Sequence, residues 1–348
     1  MPWLQRMDAA QIYANNGPLC RLFADGLAQL YGAPDGVVRP VVSGTAGLTV
    51  ALLAQGVVPG GLCMLPSWTF VATGHAARGA GLIPWLVDVD EDSGMLTPHM
   101  AEAFLLEAPG PVAAVMPVAP FGAPFPYEAW EAFHQRTGIP VVIDAAAAFD
   151  TVRPCSVPAV VSLHATKLFG VGEGGFVTCT QPELMRKIEC AGNFGFYGSR
   201  IATVPACNGK MSELHAAVGL AGLAEWQARR QTLATLCGSL ATALSGVPHV
   251  HLQPGWGRDW ISATCVVRLS VCTATVEDVL AEAGVETRRW WGDGLHAQPA
   301  FAQCPHTALT VGERLAGSTL GLPCHLDLTP MDIERVATAL RHGVQAGK

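Results

Sequence analysis

The chain has 348 residues, half of them hydrophobic and 14% charged, with a formal net charge of −7 at pH 7. Such a composition buries a large core and excludes a disordered chain, and the length suits one large unit or two packed domains. The negative balance argues against a general nucleic-acid binder.

The opening MPWLQRMDAA lacks a basic region followed by an apolar run, so no secretory leader is expected. The eleven cysteines follow no regular spacing and form no CxxC pair, which predicts reduced thiols and a cytoplasmic protein. The longest apolar stretch, residues 47–65, is interrupted by Gln55 and by Pro59-Gly60-Gly61, so no membrane span is expected.

From about residue 40 to 180, helix-like and strand-like segments alternate. TAGLTVALLAQG (45–56) has helical apolar spacing and stops at a glycine. LCMLP (62–66) predicts a short strand, TFVATGHAARGAG (69–81) a helix, and LIPWLVDVD (82–90) a strand ending in acids. HMAEAFLLEA (99–108) predicts a helix, VAAVMPVAP (112–120) a strand, YEAWEAFHQRTG (127–138) a helix and IPVVIDAAA (139–147) a strand. Continuous apolar strands between helices predict an α/β fold with a mostly parallel sheet flanked by helices. Ligands in such sheets bind beyond the carboxyl ends of the strands. Residues 67–70, 88–90, 144 and 162–167 therefore matter most.

Residues 212–244 read as one long helix leading to a smaller unit. There, ISATCVVRLS (261–270) predicts a strand and VEDVLAEAG (276–284) a helix. TPMDIERVATALRHGV (329–344) predicts a closing helix announced by Thr329 and Pro330. The expected organisation is a large domain over 1–225 and a smaller C-terminal α/β domain over 226–348.

Only four lysines occur, and Lys167 stands in the nearly uncharged SLHATKLFGVGEGG (162–175). Through Gly170, Gly172 and Gly175, GVGEGG matches the glycine spacing of a dinucleotide loop. That fingerprint needs a helix after the glycines, whereas GFVTCT is patterned as a strand. A Walker loop fails because the lysine precedes the glycines. The other use of such a lysine is covalent, as a Schiff base with a carbonyl cofactor.

Pyridoxal phosphate (PLP) needs, besides the lysine, an acid against its pyridine nitrogen, an anion cradle and an aromatic face. Asp144 ends a buried-strand pattern, SGTAG (43–47) opens a helix with free amides, and Ser162 adds a hydroxyl. Trp68 or Phe70 offers a ring. Each feature alone reads equally as a helix cap or a strand-end acid. Their order, all at predicted strand ends, points to PLP. His296, Cys304, His306 and the Cys324-His325 pair fit no zinc spacing, and no metal is expected.

Together these segments resemble the DegT/StrS-type sugar-nucleotide aminotransferases, PLP enzymes of fold type I (aspartate aminotransferase-like). The resemblance runs in family order through NNGPLCRLF, the block from SGTAG to EDSGML, VIDAAAAFD, SLHATKLFGVGEGGFVT and CNGKMSELHAAVGLAGL. It implies that Lys167 carries the cofactor and that Asp144 pairs with the pyridine nitrogen. It also implies that Gly44, Thr45 and Ser162 hold the phosphate and that Phe70, better matched than Trp68, stacks on the ring. Asn208 would reach the phosphate of a neighbouring subunit's cofactor, in a homodimer with shared active sites. GNFGF (192–196) and RRWWGDGLH (288–296) resemble segments near the substrate, and Arg288 and Arg289 are candidate diphosphate ligands.

Two departures mark a divergent branch: Ala147 stands where the family commonly has Gln or His, and Ala119 where it often has His. A dehydratase branch replaces the lysine by histidine; here it is Lys167. The resemblance implies transfer of an amino group from glutamate to a nucleotide-linked keto-sugar. A dTDP- or GDP-linked 4-keto-6-deoxyhexose is expected, with a 3-keto sugar as the alternative. Two other readings compete: a PLP-binding regulator without turnover, and a nicotinamide enzyme, which requires a helix after Gly175.

Overall fold

The computed structural model describes residues 2–348. Helices α1 (Pro2–Ala10) and α2 (Pro18–Leu30) open the chain. Strand and helix then alternate through β1 (Val38–Val41), α3 (Gly44–Ala54), β2 (Leu62–Pro66), α4 (Val71–Gly79) and β3 (Ile83–Val87). The alternation continues through α5 (Pro98–Leu105), β4 (Val112–Val115), α6 (Tyr127–Thr137) and β5 (Ile143–Asp144). β6 (Ala159–Ser162), β7 (Gly175–Thr178) and α7 (Pro182–Ala191) follow. The long helix α8 (Glu213–Leu244) leads to β8 (Val250–Leu252), β9 (Cys265–Leu269) and α9 (Thr273–Glu282). The chain ends with α10 (Thr310–Ser318), β10 (Thr319–Leu322) and α11 (Pro330–Ala346). A strand, β7, begins at Gly175, so GVGEGG lacks the helix that a dinucleotide loop requires.

β2 pairs in parallel with β3 and β4, and β5 with β6. β7 runs antiparallel to β6 and β1. Backbone bonds from Val142 N to Val115 O (3.0 Å) and from Ala119 N to Asp144 O (2.9 Å) join these ladders. The resulting order is β1-β7-β6-β5-β4-β2-β3. All five residues of β2 are buried, because successive side chains point to opposite faces and both faces are covered. Met64 joins a core with Phe23 of α2, Trp130 of α6 and Ala216 of α8. Its neighbours Cys63 and Leu65 join the opposite core, with Leu48 of α3, Ala77 of α4 and Ile188 of α7. The C-terminal part forms an antiparallel sheet, β10-β9-β8, against which α9 and α11 pack. The boundary expected at residues 225 and 226 falls inside α8.

One buried carboxylate ties the start of α8 to α2. Glu213 is fully buried and accepts the amides of Leu19 (2.7 Å) and Cys20 (2.9 Å). These belong to the first turn of α2, where amides have no intrahelical partner and a negative charge is favoured. A Cβ on Gly17 would lie 2.7 Å from the Glu213 carboxyl carbon, so the approach requires glycine before α2. Glu213→Ala is expected to destabilise the fold by about 2–4 kcal/mol, because two buried donors lose their acceptor. Urea denaturation measures this; a loss below about 1 kcal/mol would show the carboxylate dispensable.

Candidate active site

A cavity of about 320 Å³ opens beyond the carboxyl ends of β2, β4, β5 and β6. The parallel strands deliver Phe70, Ala119, Asp144 and Ser162 to it, and the first turn of α3 brings Gly44 and Thr45. Lys167 lines the cavity from the turn after β6, its backbone fixed by a bond from Lys167 N to His164 O (2.8 Å). Residues 262–264 and 290–291 close the cavity from the C-terminal part.

Asp144 is 5% exposed. Its Oδ2 accepts the Thr73 hydroxyl (2.7 Å) and its Oδ1 the Ala146 amide (3.1 Å). The Thr73 proton is thereby committed, so in the Thr69–Thr73 contact (2.8 Å) it is Thr69 that donates. Burial pushes the Asp144 carboxyl above its usual range; Thr73, Ala146 and the charge of Lys167 oppose this in part. Burial likewise lowers Lys167, against the pull of Asp144. Asp144 forms no ion pair among the described residues, so a cationic ring nitrogen in the cavity would supply its missing partner.

The other end of the cavity suits an anion. Ser43 caps α3 by accepting the Ala46 amide (3.1 Å), and its carbonyl accepts Gly47 N (3.0 Å). The amides of Gly44 and Thr45 remain without an intrahelical acceptor, at the positive end of the helix. Ser162 lies beside them: a Cβ on Gly44 would sit 3.0 Å from Ser162 Cβ. Buried acid, desolvated amine, and amide-and-hydroxyl cradle around one cavity fit PLP. Gly44→Val is therefore expected to weaken PLP binding about 10-fold or more, from an overpacking cost of about 1–3 kcal/mol. Titration of the visible PLP absorbance checks this; unchanged affinity would remove Gly44 from the cradle.

Phe70 lines the cavity and is 56% exposed, whereas Trp68 is buried behind the wall, edge-on to Phe121 and Trp291. Asn208 does not line its own chain's cavity; it is exposed, and its Oδ1 accepts from Lys210 Nζ (2.8 Å). Residues 192–196 also lie outside the lining, tied to Asn208 by the Asn193–Asn208 bridge. Residues 88–90, expected near the ligand because they follow a strand, serve structure instead. Asp88 accepts the amides of Val311 (2.9 Å) and Gly312 (2.7 Å) at the start of α10, and Asp90 closes a turn with Ser93. Arg289 is paired with Glu277 (2.5 Å) and Arg288 lies over the Trp290 ring, so neither guanidinium lines the cavity.

Sequence reasoning overlooked Phe121, Ser262 and Thr264 as wall residues, and Thr73 as the partner of Asp144. The signal for Phe121 was Pro120-Phe121-Gly122 directly after a strand end; Ser262 and Thr264 carry no local signal. Among the described residues no group of three or more His, Cys, Asp or Glu could hold a metal, and no helix is long and apolar enough to cross a membrane.

Residues 3–341 match the DegT/DnrJ/EryC1/StrS aminotransferase family. The erythromycin biosynthesis sensory transduction protein EryC1 of Saccharopolyspora erythraea is 31% identical over 317 residues, covering 87% of this chain and 84% of that one. The crystal structure of DesI in the presence of its TDP-sugar product is 30% identical and superposes with a TM-score of 0.85, covering 99% of this chain and 89% of that one. DesV of S. venezuelae, solved with a ketimine intermediate, is 27% identical with a TM-score of 0.85, covering 99% and 94%.

Proposed function

Because this chain belongs to the DegT/DnrJ/EryC1/StrS aminotransferase family, we propose that it transfers an amino group from glutamate to a nucleotide-linked keto-sugar. The acceptor we infer is a dTDP- or GDP-4-keto-6-deoxyhexose. The protein is an enzyme and its cofactor is pyridoxal phosphate. The observation that carries the reading is Asp144, a buried acid with no ion pair among the described residues, facing the same cavity as Lys167. The TDP-sugar product in whose presence DesI was solved supports the nucleotide sugar.

When bound, PLP supplies a carbonyl carbon that can carry an amino group and a ring that accepts electrons. The chain's own residues do the rest. Gly44, Thr45 and Ser162 would hold the phosphate, and Phe70 would supply the aromatic face. Asp144 keeps a proton on the ring nitrogen, in an orientation set by Thr73 and the Ala146 amide. Lys167 would hold the cofactor through Nζ and, as a free amine, would move a proton at the substrate's amine-bearing carbon. Its lowered pKa favours the free amine that such a base needs.

We infer that two subunits share each site. Lys210 occupies the Asn208 carbonyl and leaves the Asn208 amide free to donate across an interface. Phe194, Tyr197 and Ile201, all exposed apolar side chains, support an interface on that face. Residues 1–225 and 226–348 stand as the proposed large and small domains.

The visible spectrum tests the reaction. With PLP, the protein is expected to show a lysine-linked band that L-glutamate bleaches and a nucleotide-linked 4-keto-6-deoxyhexose restores. A band that no amino donor bleaches would favour the regulator reading instead.

A further inference from the structure

Phe121 sits in the turn Pro120–Gly122 after β4 with φ 55° and ψ 17°. A bulky side chain rarely adopts this left-handed backbone, and it persists only where the surroundings overdetermine it. They do so here. The Pro120 carbonyl accepts from Gln253 Nε2 (3.2 Å), that of Phe121 from Ser262 Oγ (2.6 Å), and that of Gly122 from Thr151 Oγ1 (2.9 Å). Gly122 also has a positive φ of 93°, and a Cβ there would lie 2.5 Å from the Ala147 carbonyl oxygen. This turn presents the Phe121 ring to the cavity wall, stacked on Trp291 at 4.1 Å between centroids and 19° between planes.

The hydroxyls around this wall have no proton to offer. Ser262 donates to the Phe121 carbonyl, so Thr264, 3.1 Å from Ser262 Oγ, donates to Ser262. Thr69 donates to Thr73. Ala119 and Ala147 bring no polar side chain to the lining. Besides Trp290, whose buried Nε1 has no partner among the described residues, the side chains here are two rings, two methyls and hydroxyls whose protons are already committed.

We propose that Phe121, stacked on Trp291, is a specificity-determining residue. The paired rings receive the deoxygenated, methyl-bearing edge of the keto-sugar and disfavour an acceptor with a hydroxyl at that carbon. This rests on the nucleotide keto-sugar reading above. A methyl against the rings gains apolar contact, whereas a hydroxyl pressed on the ring faces loses water and finds no hydrogen bond there in return. Apolar walls reject an added hydroxyl only moderately, so the expected preference in kcat/KM is roughly 10- to 100-fold.

The experiment compares a nucleotide-linked 4-keto-6-deoxyhexose with its 6-hydroxy counterpart, each used to restore the visible band of PLP-loaded protein bleached by glutamate. Phe121→Gly suits the left-handed backbone and removes the ring; Trp291→Leu removes only the stacking partner. Because each ratio compares two acceptors on one protein, it is independent of any general loss of activity. The expected result is a wild-type ratio of roughly 10 to 100 that falls toward 1 in Phe121→Gly and to an intermediate value in Trp291→Leu. Equal kcat/KM for both acceptors in the wild type, or a ratio unchanged in both variants, overturns the role of Phe121 and leaves the aminotransferase reading standing. A wild type that glutamate bleaches but neither acceptor restores overturns the keto-sugar reading itself.

Discussion

Lys167→Ala is expected to lower turnover by about 10⁴-fold or more, because one amine both holds the cofactor and moves the proton. The fold should survive. Lys167 is a partly buried ammonium whose pKa burial depresses, so removing it relieves desolvation and costs only its attraction to Asp144. Purified Lys167→Ala with added PLP should therefore show no lysine-linked visible band, while its melting temperature stays within a few degrees of the wild type. Lys167→Arg keeps a positive charge but cannot make the covalent link, and should be equally inactive. Glutamate-dependent turnover in either variant would falsify the assignment of Lys167.

The second large effect separates activity from stability. Asp144→Asn is expected to reduce turnover by about 10²- to 10⁴-fold, since an amide cannot keep a ring nitrogen protonated. Without cofactor, the same substitution should not destabilise the protein. The folded-state pKa of Asp144 is raised, first by burial, so the folded state holds this proton more tightly than the unfolded chain. The neutral form's advantage is fully present below the ordinary carboxyl pKa and is lost as pH rises through the folded pKa. Above that point the wild type carries a buried charge, only partly compensated by Thr73, Ala146 and Lys167, that Asp144→Asn lacks. Thermal melts of cofactor-free protein should accordingly show Asp144→Asn level with or above the wild type at neutral pH, and the difference should shrink in acid. A clear loss of stability at neutral pH would mean that Asp144 is chiefly structural, held by Thr73 and Ala146.

The sequence makes the central elements readable because glycines punctuate them: Gly56 after α3, Gly79 at the end of α4 and Gly138 after α6. β1 escapes because Arg39 and Pro40 interrupt its four residues; it is an edge strand, where proline is tolerated. β10, four residues including a glycine, carries too little pattern to read. Asp144, Ser162 and Lys167 are readable because polar residues ending apolar strands in a parallel sheet mark its ligand-binding edge. The same rule misleads at Asp88, which ends a strand but caps α10. Phe121 and Ser262 meet across 141 positions, and no local periodicity records a contact over that distance.

The place of β1 in the sheet bears on how the chain is made. Its one strand neighbour is β7, whose partners for Val38 to Val41 are residues 175–178. A ribosome adding about 5–20 residues per second leaves β1 without its ladder for roughly 7–30 s. Trp291, which completes the aromatic wall, emerges later still. No nascent chain that stops short of Trp291 can present the whole pocket, so the cofactor should bind productively only once that residue has emerged. Until then β1 is an unpaired edge, and the growing chain should be most dependent on chaperones during that interval.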